Sequence, residues 1–131
     1  MLCSYEMRSS QRSKDMSYLV NSTWGTDQIE KATVPFIIAN AAANRGKARM
    51  FLTCEALHLV TKGGADGHVA LGYAPVKDLI EEFTGKGGGI WVCKVCAAVM
   101  GITQEDLIDG AEIGGAPNTM DFIEEGARVL M

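Results

Sequence analysis

The chain has 131 residues, 47% hydrophobic and 21% charged, which suits one domain with one core. Its formal net charge is −4 and its Lys and Arg are scattered. Direct nucleic-acid contact, which calls for a clustered positive footprint, is argued against. No apolar run reaches the ~18–20 residues of a membrane span.

Residues 1–15, "MLCSYEMRSSQRSKD", are polar, basic and Ser-rich, without the apolar centre of a signal peptide. They read as a flexible N-terminal extension ahead of a single domain over 16–131. Met7 and Met16 are further start positions, and a transit peptide is the competing reading. With no secretion signal the expected compartment is cytoplasmic and reducing. Four cysteines there read as thiols or ligands rather than as a disulfide framework.

"MSYLVNSTW" (16–24) reads as a buried first strand, punctuated by Gly25 and Thr26. A helix follows from Asp27, with Asp27 and Glu30 at capping-box spacing or Thr26 as the cap, and with Gly46 as its stop. Ile29, Ala32, Phe36, Ala39 and Ala43 share one face, and Val34, Ile37, Ile38, Ala41 and Ala42 make the other side apolar too. Such a helix is covered on more than one side, which in a short chain points to a subunit interface. Pro35 predicts a kink or a late start. "ARMFLTCEALHLV" (48–60) begins as a second strand that ends near Cys54 and then turns loop-like.

Pro75, with Val76, Leu79, Ile80 and Phe83 at i, i+3, i+4 and i+7, predicts a second helix, stopped by "GKGGG". "IWV" (90–92) is a third strand and "CKVCAAVMG" a third helix ending at Gly101. Thr103 opens a capped turn with Glu105 and Asp106 near its start. "AEIGG" is a fourth strand. "APNTMDFIEEGARVLM" reads as a last helix, with Met120, Ile123, Ala127 and Leu130 toward the core.

Strands alternating with helices predict an α/β fold, a mostly parallel sheet of four to five strands with helices on both faces. In such sheets, chemistry gathers beyond the carboxyl ends of the strands. That rule brings Thr23 and Trp24, Cys54, Cys93, and Gly114 with Gly115 to one rim.

Cys93 stands where a strand ends and a helix begins, and free backbone N–H groups there favour a thiolate. A thiolate is a nucleophile, and Lys94 next to it adds positive potential. Cys96 lies a turn inward, where a buried small side chain is the plain reading. The CxxC spacing also fits a dithiol redox couple. Lys94 and Val95 stand between the cysteines, though, and Pro117 enters a helix rather than facing the pair. Cys54, His58, Cys93 and Cys96 are ligand types that zinc accepts, but only one CxxC is present, so no metal is assigned. His58 and His68 read as loop histidines that would assist proton transfer only if they reached Cys93. "GKGGG" precedes a strand, the wrong order for a phosphate loop. "DLIDGAEIGGAPN" either lines the rim with N–H groups for an anion or is a tight turn.

Four stretches, "ATVPFIIANAAANRG", "ARMFLTCEALHLVTKGG", "VCKVCAAVMGI" and "EDLIDGAEIGGAPNTMDFI", resemble the DsrE/DsrF-like family, with its TusD-like sulfur-relay proteins, from about Met16 to Leu130. The resemblance implies a flavodoxin-like three-layer sandwich and a trimer or hexamer. In sulfur-relay members a strand-end cysteine, followed eight residues on by glycine, carries sulfane sulfur as a persulfide. Cys93 and Gly101 have that spacing. The resemblance therefore implies a sulfur carrier or sulfurtransferase acting through Cys93 between a sulfur donor and an acceptor protein, with no organic cofactor. Cys96 departs from the relay pattern, which has a small residue such as alanine there. Cys96, Cys54, His58 and Lys94 are the accessory candidates. A non-enzymatic oligomeric module that binds a small ligand or partner, and a Cys93–Cys96 dithiol protein, remain the competing readings.

Overall fold

A computed structural model describes residues 16–131. The segment read as a flexible extension lies outside the described residues.

Five strands form one wholly parallel sheet: β1 (Ser17–Ser22), β2 (Lys47–Leu52), β3 (Gly89–Cys93), β4 (Ala111–Gly114) and β5 (Arg128–Leu130). Their order across the sheet is β4-β3-β2-β1-β5. The helices are α1 (Ile29–Ala43), α2 (Val76–Gly85), α3 (Lys94–Met100) and α4 (Ala116–Glu124). Among the described residues no helix is long and apolar enough to cross a membrane.

The two-residue period of the strands sorts their side chains onto two faces. Val20, Met50, Leu52, Ile90 and Val92 point to one face, where Phe36 of α1, Ile80 and Phe83 of α2 and Ala97 of α3 meet them in the main core. Leu19 points the other way and packs with Phe122 of α4, Ala127, Phe51 and Trp91. The Trp91 ring meets Phe122 edge-on at 5.7 Å. Helices thus lie on both faces, three on one and α4 alone on the other. Each fully buried Leu, Ile or Phe in these layers contributes about 1.5–3 kcal/mol.

Several local expectations are corrected. The Asp27 capping box does not form: Thr26–Gln28 is a 3-10 turn, and α1 starts at Ile29 without a side-chain cap. Pro35 sits inside α1, buried. On the second apolar side of α1, Ala42 is buried and Val34 and Ile38 are half-buried, whereas Ile37 and Ala41 are exposed; α2 packs on α1, and the Asn40 amide donates to the Leu79 carbonyl at 3.0 Å. After β2 the chain is not an open loop. Cys54–Val60 is a 3-10 segment that buries Ala56, Leu57, Leu59 and Val60.

The last helix is shorter than its sequence pattern predicts. It ends at Glu124, Gly126 takes φ +112°, and Arg128–Leu130 becomes β5 beside β1. Thr119 and Phe122 are its buried residues, while Met120 is half exposed and Leu130 lies in the strand. The capped turn is found as read: the Thr103 backbone N–H and hydroxyl both donate to Asp106 Oδ2, at 2.8 and 3.0 Å.

Candidate functional site

The parallel sheet sends every strand's carboxyl end to one edge, and the three cysteines among the described residues gather there. Cys93 is the last residue of β3 and the N-cap of α3. Cys96 is on the first turn of α3, and Gly101 closes that helix with the left-handed φ of +70° that glycine adopts at no steric cost. Cys54 follows β2 and opens the 3-10 segment. Cys93 and Cys96 are half-buried, Cys54 is exposed, and all three are free thiols.

These thiols are tied together. The Cys54 N–H donates to Cys96 Sγ at 3.3 Å. To do so Cys54 holds φ at +53°, the left-handed region that costs a non-glycine residue about 1–3 kcal/mol. The strand end itself is pinned by the Thr53 N–H on the Ser22 carbonyl at 3.0 Å. Gly25 lets the chain after β1 lie flat on this segment, because a Cβ there would strike the Glu55 backbone.

The electrostatics separate Cys93 from Cys96. Partial burial pushes the Cys93 thiol up, but the Cys96 N–H, the Cys96 thiol and the Val95 N–H all face its sulfur, and together they hold it below the ordinary thiol value. For Cys96, the Cys54 N–H pulls down, while burial and the neighbouring Cys93 and Cys54 sulfurs push up and prevail. Of the two, Cys93 is the sulfur whose anion the surroundings favour, and Cys96 is the one whose proton is held more tightly. Such a pair supplies a nucleophile and an adjacent proton donor.

The remaining sequence candidates fall around this cluster. His58 is exposed and turned to Glu55, with Nε2 3.4 Å from the carboxylate. His68 lies half-buried in the loop before α2. Lys94 is exposed at the start of α3. Among the described residues no three Cys, His or acidic side chains are grouped to hold a metal ion. The Gly115 N–H donates to Asn118 Oδ1 at 2.9 Å, so the glycine pair after β4 forms a turn into α4.

Sequence reasoning brought Cys54 and Cys93 to one rim but missed the Cys54 N–H to the Cys96 sulfur, and it read Gly25 only as punctuation. The glycine inside "STWGT" was the available signal for a close backbone approach. Around the thiols, α3 shows Val95 and Val99 to solvent, and Trp24 at the end of the β1 connection is 41% exposed under the Lys31 ammonium. A cavity of about 340 Å³ lies elsewhere, between the 3-10 segment and α2, lined by Leu59, Ala65, Ile80 and Ile108 with the Asp66–Lys77 ion pair. It contains none of the thiols.

Comparison with known proteins bears on the chain as a whole. Residues 16–131 match the model of the DsrE/DsrF-like family. The chain is 31% identical over 112 residues to the uncharacterized protein MJ0760 of Methanocaldococcus jannaschii, covering 85% of this chain and only 40% of that relative's length. Among solved structures it is similar to the ychN protein of E. coli, with a TM-score of 0.59, 19% identity, and coverage of 90% of this chain and 97% of that one. It is also similar to MTH1491 of Methanobacterium thermoautotrophicum, a protein of unknown function, with a TM-score of 0.59, 12% identity, and coverage of 89% and 96%. At those identities the two structures bear on the fold alone.

Proposed function

The chain belongs to the DsrE/DsrF-like family, and from that premise we propose that it is a sulfur carrier of the sulfurtransferase type that works through Cys93. The observation behind the reading is the Cys93 sulfur at the end of β3, faced by two N–H groups and one thiol that favour its anion. The Cys93 thiolate attacks the outer sulfur of a donor's persulfide. The donor's S–S bond breaks and its inner sulfur leaves as a thiolate. An acceptor thiolate then takes the outer sulfur from Cys93 by the same exchange, and the Cys93 thiolate is restored. Every step is an exchange at sulfur, so no organic cofactor enters.

The exposed Trp24 and Val95 near the carboxyl edge of the sheet, with Val99 a turn further along α3, are the apolar surface on which a donor or acceptor protein would dock. The trimer or hexamer implied by the family resemblance and the cytoplasmic setting belong to the same proposal. Light scattering tests the assembly. The catalytic claim is tested by mixing reduced protein with an alkyl persulfide and following release of the donor thiol. Wild type should release about one equivalent and Cys93→Ser almost none. Equal release by Cys93→Ser would refute it.

A second reading, a small-ligand binding module, draws on the cavity beside α2. It predicts inert thiols and a ligand whose binding is unaffected by Cys93→Ser.

A further inference from the structure

Cys96 is more than a packed neighbour. Its S–H faces the Cys93 sulfur from the same helical turn. The Cys54 N–H donates to the Cys96 sulfur at 3.3 Å. That donor is held in place by a left-handed backbone at a residue with a Cβ, a conformation that persists only where surrounding structure fixes it. A thiol that merely fills space needs no N–H aimed at it. The donor sits where negative charge collects when Cys96 loses its proton. Lys94 and Val95, between the two cysteines, are both exposed and do not separate the sulfurs.

We propose that Cys96 is a second reactive thiol, which expels the sulfur loaded on Cys93 as hydrosulfide and leaves a Cys93–Cys96 disulfide. This rests on the reading of Cys93 as the sulfur acceptor and states what becomes of the sulfur when no acceptor protein takes it. The loaded form is the anion Cys93–S–S⁻ beside Cys96–SH. The Cys96 proton passes to the outer sulfur, and the Cys96 sulfur attacks the inner sulfur of Cys93. The S–S bond of the persulfide breaks, and the outer sulfur leaves as HS⁻. The sulfane sulfur is reduced to sulfide, and the two cysteine sulfurs are oxidised to a disulfide, so the step needs no outside oxidant. An external thiol or dithiol then reopens the disulfide for the next cycle. The Cys54 N–H supports the Cys96 sulfur while it attacks, and again when it leaves during reduction.

The test uses the full chain, reduced and kept anaerobic, with one equivalent of glutathione persulfide. Donor consumption, free hydrosulfide and tryptic peptides are measured together. Trypsin cuts after Lys94 and puts Cys93 and Cys96 on different peptides, so their disulfide appears as a cross-linked pair. Wild type should consume the donor, release hydrosulfide and give the cross-linked pair. Cys96→Ser and Cys96→Ala should consume the donor yet keep the added sulfur on the Cys93 peptide, with hydrosulfide release reduced about ten-fold or more. The discharge step is overturned if wild type consumes the donor and simply retains the sulfur, or if both Cys96 variants release hydrosulfide as wild type does. In either case Cys93 loading still stands. If wild type consumes no donor, both readings fall.

Discussion

Replacing Gly25 by alanine should damage the thiol cluster without changing a thiol. Gly25 has φ −123°, open to any residue, so backbone strain plays no part. The obstacle is space. A Cβ would lie 2.7 Å from the Glu55 carbonyl carbon and 2.8 Å from its Cβ, and would strike the Glu55 carbonyl oxygen. Carbon pairs prefer about 3.5–4.0 Å, so roughly 1 Å of movement is required. The obstructing atoms are mostly backbone and cannot swing aside as a side-chain tip does. Overpacking of this kind costs about 1–3 kcal/mol, and the stiffer unfolded chain returns about 0.4–1 kcal/mol. A net loss of roughly 1–2 kcal/mol follows, or a urea midpoint lower by about 1 M at m values of about 1–3 kcal/mol/M. The displaced Glu55 carries Cys54 with it and draws the Cys54 N–H off the Cys96 sulfur. That removes the leading influence holding the Cys96 pKa down, so its alkylation profile should move to higher pH. A midpoint and a Cys96 profile both identical to wild type would refute the packing described for this turn.

Alkylation of Cys93 should show a pH midpoint below that of an unstructured cysteine, and Cys96→Ala should move it upward by removing the thiol that faces Cys93. Thiol-specific mass labelling across pH reads both shifts. Asp106 is held below the ordinary carboxylate range, first by the Thr103 N–H and then by the Thr103 hydroxyl. Its contribution to stability is present above the unfolded carboxyl pKa and lost as the pH falls through the folded value. Asp106→Asn should accordingly flatten the acid limb of a melting-temperature profile. The Ser22 hydroxyl is buried without a hydrogen-bond partner among the described residues. Ser22→Ala should therefore stabilise by about 1 kcal/mol in chemical denaturation, and a destabilised variant would show that the hydroxyl is bonded in solution.

The layered architecture was legible because β1 to β4 and the four helices each carry their own periodicity and punctuation. What escaped lacked such marks. β5 has three residues, mostly exposed, in a stretch that continues the helical pattern of α4, and Gly126 is the lone break. Cys54–Val60 buries four apolar side chains on a three-residue turn, which matches neither the strand nor the α-helix period. At the site, the strand-end rule located Cys93 and Cys54, since it depends only on where strands stop. The left-handed backbone of Cys54 has no counterpart in the sequence, because neighbours distant along the chain impose it. Cys96 was placed one turn from Cys93 by spacing alone. Its second contact comes from an amide 42 positions earlier, which spacing around the CxxC cannot reveal.

The position of β5 also bears on how a ribosome delivers this molecule. β1, β2 and β3 emerge in an order that lets each pair with the one before it. The outer edge of β1 stays bare until Leu130 exists, when Tyr18, Leu19 and Val20 meet Arg128, Val129 and Leu130. The Asn21 amide adds a bond to the Met131 carbonyl across a separation of 110 residues. Until β5 is made, a nascent chain therefore shows an open parallel edge along β1, the kind of surface on which other strands template. A chain cut before Arg128 would keep that side of β1 uncovered, so the three residues of β5 move the sheet's edge from a six-residue strand to a three-residue one.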